Sequence, residues 1–397
     1  MDRYEPIKVL GEGAFGKVYL MRQRIERKLL CVKVIKIKNI PRKEREACKM
    51  EVDLLRRLNH PNIVGYRESF MHKNKESLCI VMQYCDGGDL CSQIKDAKKQ
   101  LFPESKVLHW FVQMALGLHY MHEQRVLHRD LKTQNIFMLG NGRLVLGDLG
   151  ISKVLEGTMD FAETCIGTPY YMSPEIFKNK PYNHKSDIWA LGCVLYEMTT
   201  LNHAFDAKSL NGLACKIIKG RYPPINPKYS KSLRELIAAM LSISPSTRPD
   251  LPTILTKPFI KRHIQNFLKD VVARPVNSIG EGTMQVRAAA VNVAAGKRPN
   301  GQQPCDTSPE IEALMSQLRD LNMESVVQAA LSPATAPTSQ RGAEQAVREQ
   351  SKALKREEDR KKAVEAALAK LRHEREERLL GRQRPGARGG GAGGARQ

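Results

Sequence analysis

The stretch that decides the fold reads H-R-D-L-K-T-Q-N from His128 to Asn135, set among short strand-like pieces that continue to Gly150. It does not stand alone. Upstream, G-E-G-A-F-G-K-V runs from Gly11 to Val18 on a strand-turn-strand pattern, and C-V-K ends at Lys33. Downstream, D-L-G spans Asp148 to Gly150 and S-P-E spans Ser173 to Glu175. A glycine-rich loop by itself marks many ordinary tight turns, so the weight lies in the order and spacing of the whole series.

Around this series, the chain from Tyr4 to Val34 alternates and is rich in Val, Ile, Leu and Tyr, broken by the glycine cluster and by a charged turn near Glu26, Arg27 and Lys28. Three antiparallel strands are expected there. A charged segment from Pro41 onward turns helical, with Val52, Leu55 and Leu58 at helical spacing, and H-P-N-I-V at 60–64 returns the chain to strands ending in S-L-C-I-V-M-Q-Y at 77–84. After Gly87 and Gly88, helical periodicity over 104–124, 185–200 and 231–242 predicts a mostly helical second lobe.

The series is similar to the protein-kinase signature, which implies an α+β fold: a bilobal kinase with a small β-rich N-lobe and a large helical C-lobe. Gly11, Gly13 and Gly16 let a hairpin approach a triphosphate closely, because side chains there would push the backbone away. Lys33 is expected to hold the α- and β-phosphates of ATP, oriented by Glu51; Glu44 and Glu46 are also at hand, but the E-V-x-L-L frame favours Glu51. Asp130 should accept the substrate hydroxyl proton and Lys132 should neutralise the transferring group. Asn135 and Asp148 offer hard oxygen ligands to Mg2+, with Mn2+ as an alternative.

The kinase pattern places Met82 as gatekeeper and Gln83 to Cys85 as the hinge that reads adenine. It puts Asp89 at the ribose, Val18 and Cys31 above the base, and Phe137 below it. Cys31 departs from the usual alanine, as a buried inert thiol or an oxidation-sensitive one. Leu149 departs from the commoner phenylalanine and keeps an apolar side chain to stack below Leu55 and Tyr66. Between Asp148 and Glu175 lies the activation loop, where Thr164 is the expected phosphorylation site with Arg129 receiving the phosphate, and Thr158 and Thr168 are weaker candidates. Thr168 fits better as a contact of Asp130 and Lys132, and with Lys132 indicates Ser/Thr specificity. Glu175 is expected to pair with Arg248, and Asp187 to hold the catalytic-loop backbone. A noncatalytic scaffold is the alternative, although no part of the signature is missing.

The segments V-M-Q-Y-C-D-G-G-D-L at 81–90, LHWFVQMALGLHYMHEQRVLHRDLKTQNIF at 108–137 and CIGTPYYMSPEIFKNKPYNHKSDIWALGCVLYEM at 165–198 resemble the NIMA-related (Nek) kinases, over about residues 1–270. The resemblance implies a non-specific serine/threonine protein kinase, activated through Thr164, often by autophosphorylation, and favouring an apolar residue three positions before the target. Ile151 gives a lean toward Thr substrates. Family roles in the cell cycle, the DNA-damage response and the cilium imply microtubule, centrosomal or ciliary partners beside protein substrates with Ser/Thr. They imply a cytoplasmic location, including the centrosome or cilium base, with the nucleus also open.

Composition bounds the rest. The 397 residues allow two domains, or one large domain with an extension. All two Trp, eleven Tyr and ten Phe lie between Tyr4 and Phe267, and the stretch from Leu268 to Gln397 has none, so the tail lacks a deep core of its own. The expected division is a kinase domain over 1–268, with N-lobe about 1–85 and C-lobe about 86–268, then a flexible linker over 269–340. Within that linker, Pro309 to Leu331 has enough Leu, Met and Val for one short amphipathic helix. Residues 341–380, dense in Ala, Glu, Lys and Arg, favour a helix, either self-associating as a coiled coil or solvated and partner-bound. The basic Gly/Arg-rich end over 381–397 reads as disordered. Ser308 and Ser332, each before proline, are regulatory phosphosites or unmodified linker residues.

Lys plus Arg number 64 against 42 Asp plus Glu, a net charge of +22 that suits nucleic acid, an acidic membrane surface or acidic proteins and selects none of them. Without RNP-like aromatics, zinc ligands or a recognition-helix pattern, nucleic acid is not favoured. Nine cysteines without a CxxC pair argue for reduced thiols. M-D-R-Y-E-P-I-K-V begins the chain without an apolar h-region, and no stretch approaches a membrane span, so no membrane association is expected.

Overall fold

A computed structural model describes residues 2–13, 16–38, 46, 52–53, 55–72, 76–148, 169–273 and 309–331. The expectations for Phe15, Glu51, Leu149, Ile151, Thr158, Thr164, Thr168, Ser308, Ser332 and residues 341–397 lie outside the described residues. The first five strands are β1 (Tyr4–Gly13), β2 (Gly16–Gln23), β3 (Leu29–Lys36), β4 (Tyr66–Met71) and β5 (Ser77–Gln83). They form one antiparallel sheet in the order β1-β2-β3-β5-β4.

Strand periodicity splits this sheet into two faces. Leu30 and Val32 of β3 join Tyr4, Met21, Cys79 and Val81 in a buried cluster on one face. Ile35 and Ile80 belong instead to the main core, so Cys31 and Lys33, in step with Ile35, share that second face. The register pairs Cys31 with Met82 and Lys33 with Ile80, which brings these residues to one surface.

The C-lobe starts with α1 (Leu90–Asp96) and α2 (Glu104–Glu123), followed by the hairpin β6 (Ile136–Met138) and β7 (Leu144–Leu146). Beyond it come α3 (Pro174–Phe177), α4 (His184–Thr200), α5 (Leu210–Lys219), α6 (Lys231–Met240), α7 (Leu251–Leu255) and α8 (Pro258–Ala273). α4 is buried on every side through most of its length, as its all-round apolar sequence requires. Asn183 starts it with a capping box closed by Ser186. No helix among the described residues is long and apolar enough to cross a membrane.

Backbone bonds tie β7 to the N-lobe and β6 to the segment that leads into α1. Val64 N donates to Leu146 O and Leu146 N to Asn62 O, both at 2.8 Å. Gly87 N donates to Met138 O at 2.9 Å and Met138 N to Gly88 O at 2.8 Å. β6 and β7 therefore sit under the sheet with little freedom to slide.

The segment expected to hold one short helix contains two, α9 (Pro309–Asp320) and α10 (Glu324–Leu331). Asn322 adopts the left-handed conformation (φ 53°). Asn322 N donates to Arg319 O at 2.8 Å and Met323 N to Leu318 O at 2.9 Å. These are the paired bonds of a Schellman stop, and the buried Leu318 and Met323 supply the apolar contact that accompanies it. Ile311, Leu314, Met315 and Leu318 follow helical spacing and are all buried in the same core as α2 and α8. The pair has no core of its own and completes that of the C-lobe.

Candidate active site

The loop before β6 holds the densest polar constellation. Asp130 Oδ2 accepts from Lys132 Nζ and from Asn135 Nδ2, each at 2.8 Å. Asn135 Nδ2 also donates to the Asp130 carbonyl at 2.8 Å. With its nitrogen so committed, the amide oxygen of Asn135 is the atom left to act as a ligand. Lys33 Nζ reaches from β3 to Asp148 Oδ1 as an ion pair, so the sheet and the segment after β7 meet through two charged groups. Arg129 (φ 63°) and Asp148 (φ 50°) both hold left-handed backbone conformations, an uncommon state for non-glycine residues.

Buried groups hold this loop in place. Asp187 in α4 accepts from His128 N at 3.0 Å, Arg129 N at 3.1 Å, Tyr182 Oη at 2.5 Å and His122 Nε2 at 2.8 Å. Burial alone would raise its pKa, yet the bonds and charge from His122 and the bond from Tyr182 hold the carboxyl below the usual range. Thr133 Oγ1 lies 2.9 Å from Tyr171 Oη, and Tyr171 donates to Glu197 at 2.5 Å. Burial and the adjoining Glu197 raise the Tyr171 phenol, which keeps it a donor. Glu175 and Arg248 form a fully buried fork at 2.7 and 2.8 Å, with Ser186 Oγ adding a third bond at 2.8 Å.

In the sheet, β1 and β2 pair to their ends at Gly13 and Gly16. A Cβ at Gly16 would lie 1.8 Å from Val34 O, so only glycine fits there, whereas a Cβ at Gly11 meets nothing within 4 Å. The chain's own packing therefore does not demand glycine at 11. Lys33, Leu55, Val64, Tyr66, Ile80, Met82, Gly147 and Asp148 line a pocket. Val18 on β2, Cys31 on β3 and Phe137 on β6 are not among the residues that line this pocket.

Gln83 N donates to Gly65 O at 2.8 Å, which anchors the start of the hinge. Asp89 Oδ1 accepts from Ser92 N at 2.8 Å and its Oδ2 from Ser92 Oγ at 3.1 Å, so both carboxylate oxygens serve as the cap of α1. Burial pushes the Cys31 thiol up to about 11 and the Cys85 thiol up to about 12, so both stay protonated and unreactive at neutral pH.

The family model described as the protein kinase domain matches residues 4–260. Serine/threonine-protein kinase Nek4 of Mus musculus is 50% identical over 268 residues, covering 68% of this chain and 34% of the relative. Serine/threonine-protein kinase Nek5 of Homo sapiens is 48% identical over 269 residues, covering 68% and 38%. Serine/threonine-protein kinase Nek1 of Mus musculus is 48% identical over 268 residues, covering 68% and 22%. The chain belongs to the NIMA-related (Nek) protein kinases.

The match spans no more than about four-tenths of these three Nek relatives, and the kinase model ends at residue 260, well before α9. Within the region matched to the Nek kinases, the structure joins Asp130 to Lys132 and Asn135 and joins Lys33 to Asp148, and Gly147 N donates to Asn135 O at 3.0 Å between the two groups. Sequence reading missed the supports: His122 and Tyr182 on Asp187, and Tyr171 bridging Thr133 to Glu197. The Y-Y pair at 170–171 was the signal for the second of these. It also missed the part played by His60 and Asn62, read only as the step back into strands.

Proposed function

We propose that the chain transfers the γ-phosphoryl group of ATP to serine and threonine hydroxyls of proteins. The observation that carries this reading is the Asp130–Lys132–Asn135 cluster, tied through the Gly147 N to Asn135 O bond to the residue before Asp148, which pairs with Lys33. An amide oxygen and a carboxylate are hard donors of the kind Mg2+ takes, so Asn135 and Asp148 fit that ion. Bound there, Mg2+ would neutralise phosphate charge.

Asp130 orients the acceptor hydroxyl and takes its proton as the oxygen attacks the γ-phosphorus and the bond to ADP breaks. Lys132, already 2.8 Å from Asp130, lies where negative charge gathers on the transferring group. Lys33, which pairs with Asp148, holds the α- and β-phosphates. Phosphorylation of Thr164, with Arg129 as the receiving cation, is the activating event, and the Arg129 backbone N–H, donated to Asp187, fixes where that cation starts. Family membership supports microtubule, centrosomal or ciliary proteins as substrates and partners, and the cytoplasm with its centrosome or cilium base as the location.

The test is phosphorylation of a Ser/Thr/Tyr peptide library by the full chain with ATP and Mg2+, followed by mapping of the modified residue. Label on Ser and Thr, reduced in Thr164→Ala, is expected. Label on Tyr, or none with the full chain, would overturn the reading.

A further inference from the structure

The polar contacts of α9 form a chain that ends next to the proposed metal site. Gln317, only 2% exposed, lies among apolar side chains on the face that α9 turns to the C-lobe. Its Nε2 donates to Leu116 O in α2 at 3.0 Å, and its Oε1 lies 3.3 Å from His60 Nε2. The other imidazole nitrogen, Nδ1, accepts from Asn62 N at 3.0 Å. An imidazole whose Nδ1 accepts carries its proton on Nε2 if neutral, so Nε2 donates to Gln317. Burial pushes the His60 pKa down to about 3, which makes the neutral form the one present.

From His60 the chain continues through backbone. Asn62 O accepts from Leu146 N at 2.8 Å, and Asn62 Nδ2 donates to Leu144 O at 2.8 Å. Gln113 Oε1 completes the cradle, accepting from Leu144 N at 2.8 Å and Asn62 Nδ2 at 3.3 Å. Two peptide bonds beyond Leu146 stands Asp148, in its left-handed conformation. Gln317 is thus linked to the peptide leading into Asp148 by three successive hydrogen bonds through His60 and Asn62. Leu116 O anchors Gln317 to α2, so its position depends on whether α9 is seated.

We propose that Gln317 is a positioning residue of the kinase site: by holding His60 in the Nε2-protonated tautomer it fixes Asn62 and Leu146, and with them the placement of Asp148. Seating of the α9–α10 pair then becomes a condition for efficient use of the metal. The functional half of this inference rests on the kinase reading above; the structural half does not. The residues that form the link lie on both sides of the matched domain boundary, so the domain alone lacks its last member.

The test uses the full chain and two variants. Gln317→Leu keeps the side chain's bulk and removes both bonds; Leu314→Asp, whose parent side chain is fully buried, unseats the helix pair without altering the His60 cradle. Amide hydrogen exchange at Asn62 and Leu146 is expected to speed up about tenfold in both, the scale of one net hydrogen bond. The Mg2+ concentration at half-maximal phosphotransfer should rise severalfold, while the KM for peptide stays unchanged. Unchanged protection of Asn62 and Leu146 in either variant overturns the proposal, as does a lowered kcat without any change in Mg2+ dependence. If Gln317→Leu does not fold, Leu314→Asp decides alone. Should the wild-type chain transfer no phosphate, the kinase reading fails, and the exchange arm still decides whether Gln317 holds the Asn62–Leu146 link.

Discussion

A methyl group at residue 16 would sit 1.8 Å from the carbonyl oxygen of Val34, and that distance fixes how closely β2 can lie over β3. Gly16→Ala must therefore push the hairpin off the sheet. Its KM for ATP is expected to rise about tenfold, equal to ~1.4 kcal/mol of lost nucleotide binding, with the peptide KM unaltered. Steady-state kinetics with each substrate varied in turn would check it, and an unaltered KM for ATP would count against the assigned role of the loop. Asp130, Lys132 and Asn135 were legible because they fall within a few residues of one another, where spacing alone restricts geometry. Asp89 was less so: its cap on Ser92 is a local bond that any Asp before a helix can make. Gln317 was not legible, because its partner His60 lies 257 residues away and nothing local to α9 distinguishes one buried glutamine from an exposed one.

Among the elements, α3 and α4 depend on the fork between Glu175 and Arg248. Both side chains are almost wholly buried, and burial opposes the carboxylate, but the bonds from Arg248 and Ser186 hold its pKa below the ordinary value. Arg248→Ala leaves that charge without its partner and is expected to destabilise the C-lobe by about 3–5 kcal/mol in denaturant unfolding. Because the folded pKa is depressed, the fork's contribution is present above the usual glutamate pKa and fades as pH falls through the folded one. The difference between wild type and Arg248→Ala should therefore shrink in acid; a constant difference would show that the charge pair is not its origin. The sheet and helices were legible from period-2 and helical spacing over long runs. The break at Asn322 was missed because an asparagine at a helix end signals a stop only when the next residue, Met323, finds an apolar partner, and Leu318 becomes that partner only in three dimensions.

At the scale of the whole molecule, the lack of aromatics after Phe267 hid the fact that α9 and α10 share the core of α2 and α8. Ile311, Leu314, Met315, Leu318, Met323 and Val327 are all buried, and a chain cut after residue 275 would leave the face they cover exposed to water. Such a chain is expected to melt about 5–10 °C below one ending at residue 331 and to aggregate more readily, as scanning calorimetry and light scattering would record. Equal melting temperatures would mean that the helix pair adds nothing to stability. The +22 charge, in contrast, remained uninformative about fold, since charge speaks to solubility and partners and not to packing. Lys132 and Asn135 hold Asp130 at 2.8 Å, where it is proposed to take the acceptor proton. The most direct measurement is the turnover of Asp130→Asn on a Ser/Thr peptide beside its ATP dissociation constant. The predicted result is a kcat lower by about 10²–10⁴ with ATP binding within about twofold of wild type; turnover equal to that of the wild-type chain would contradict it.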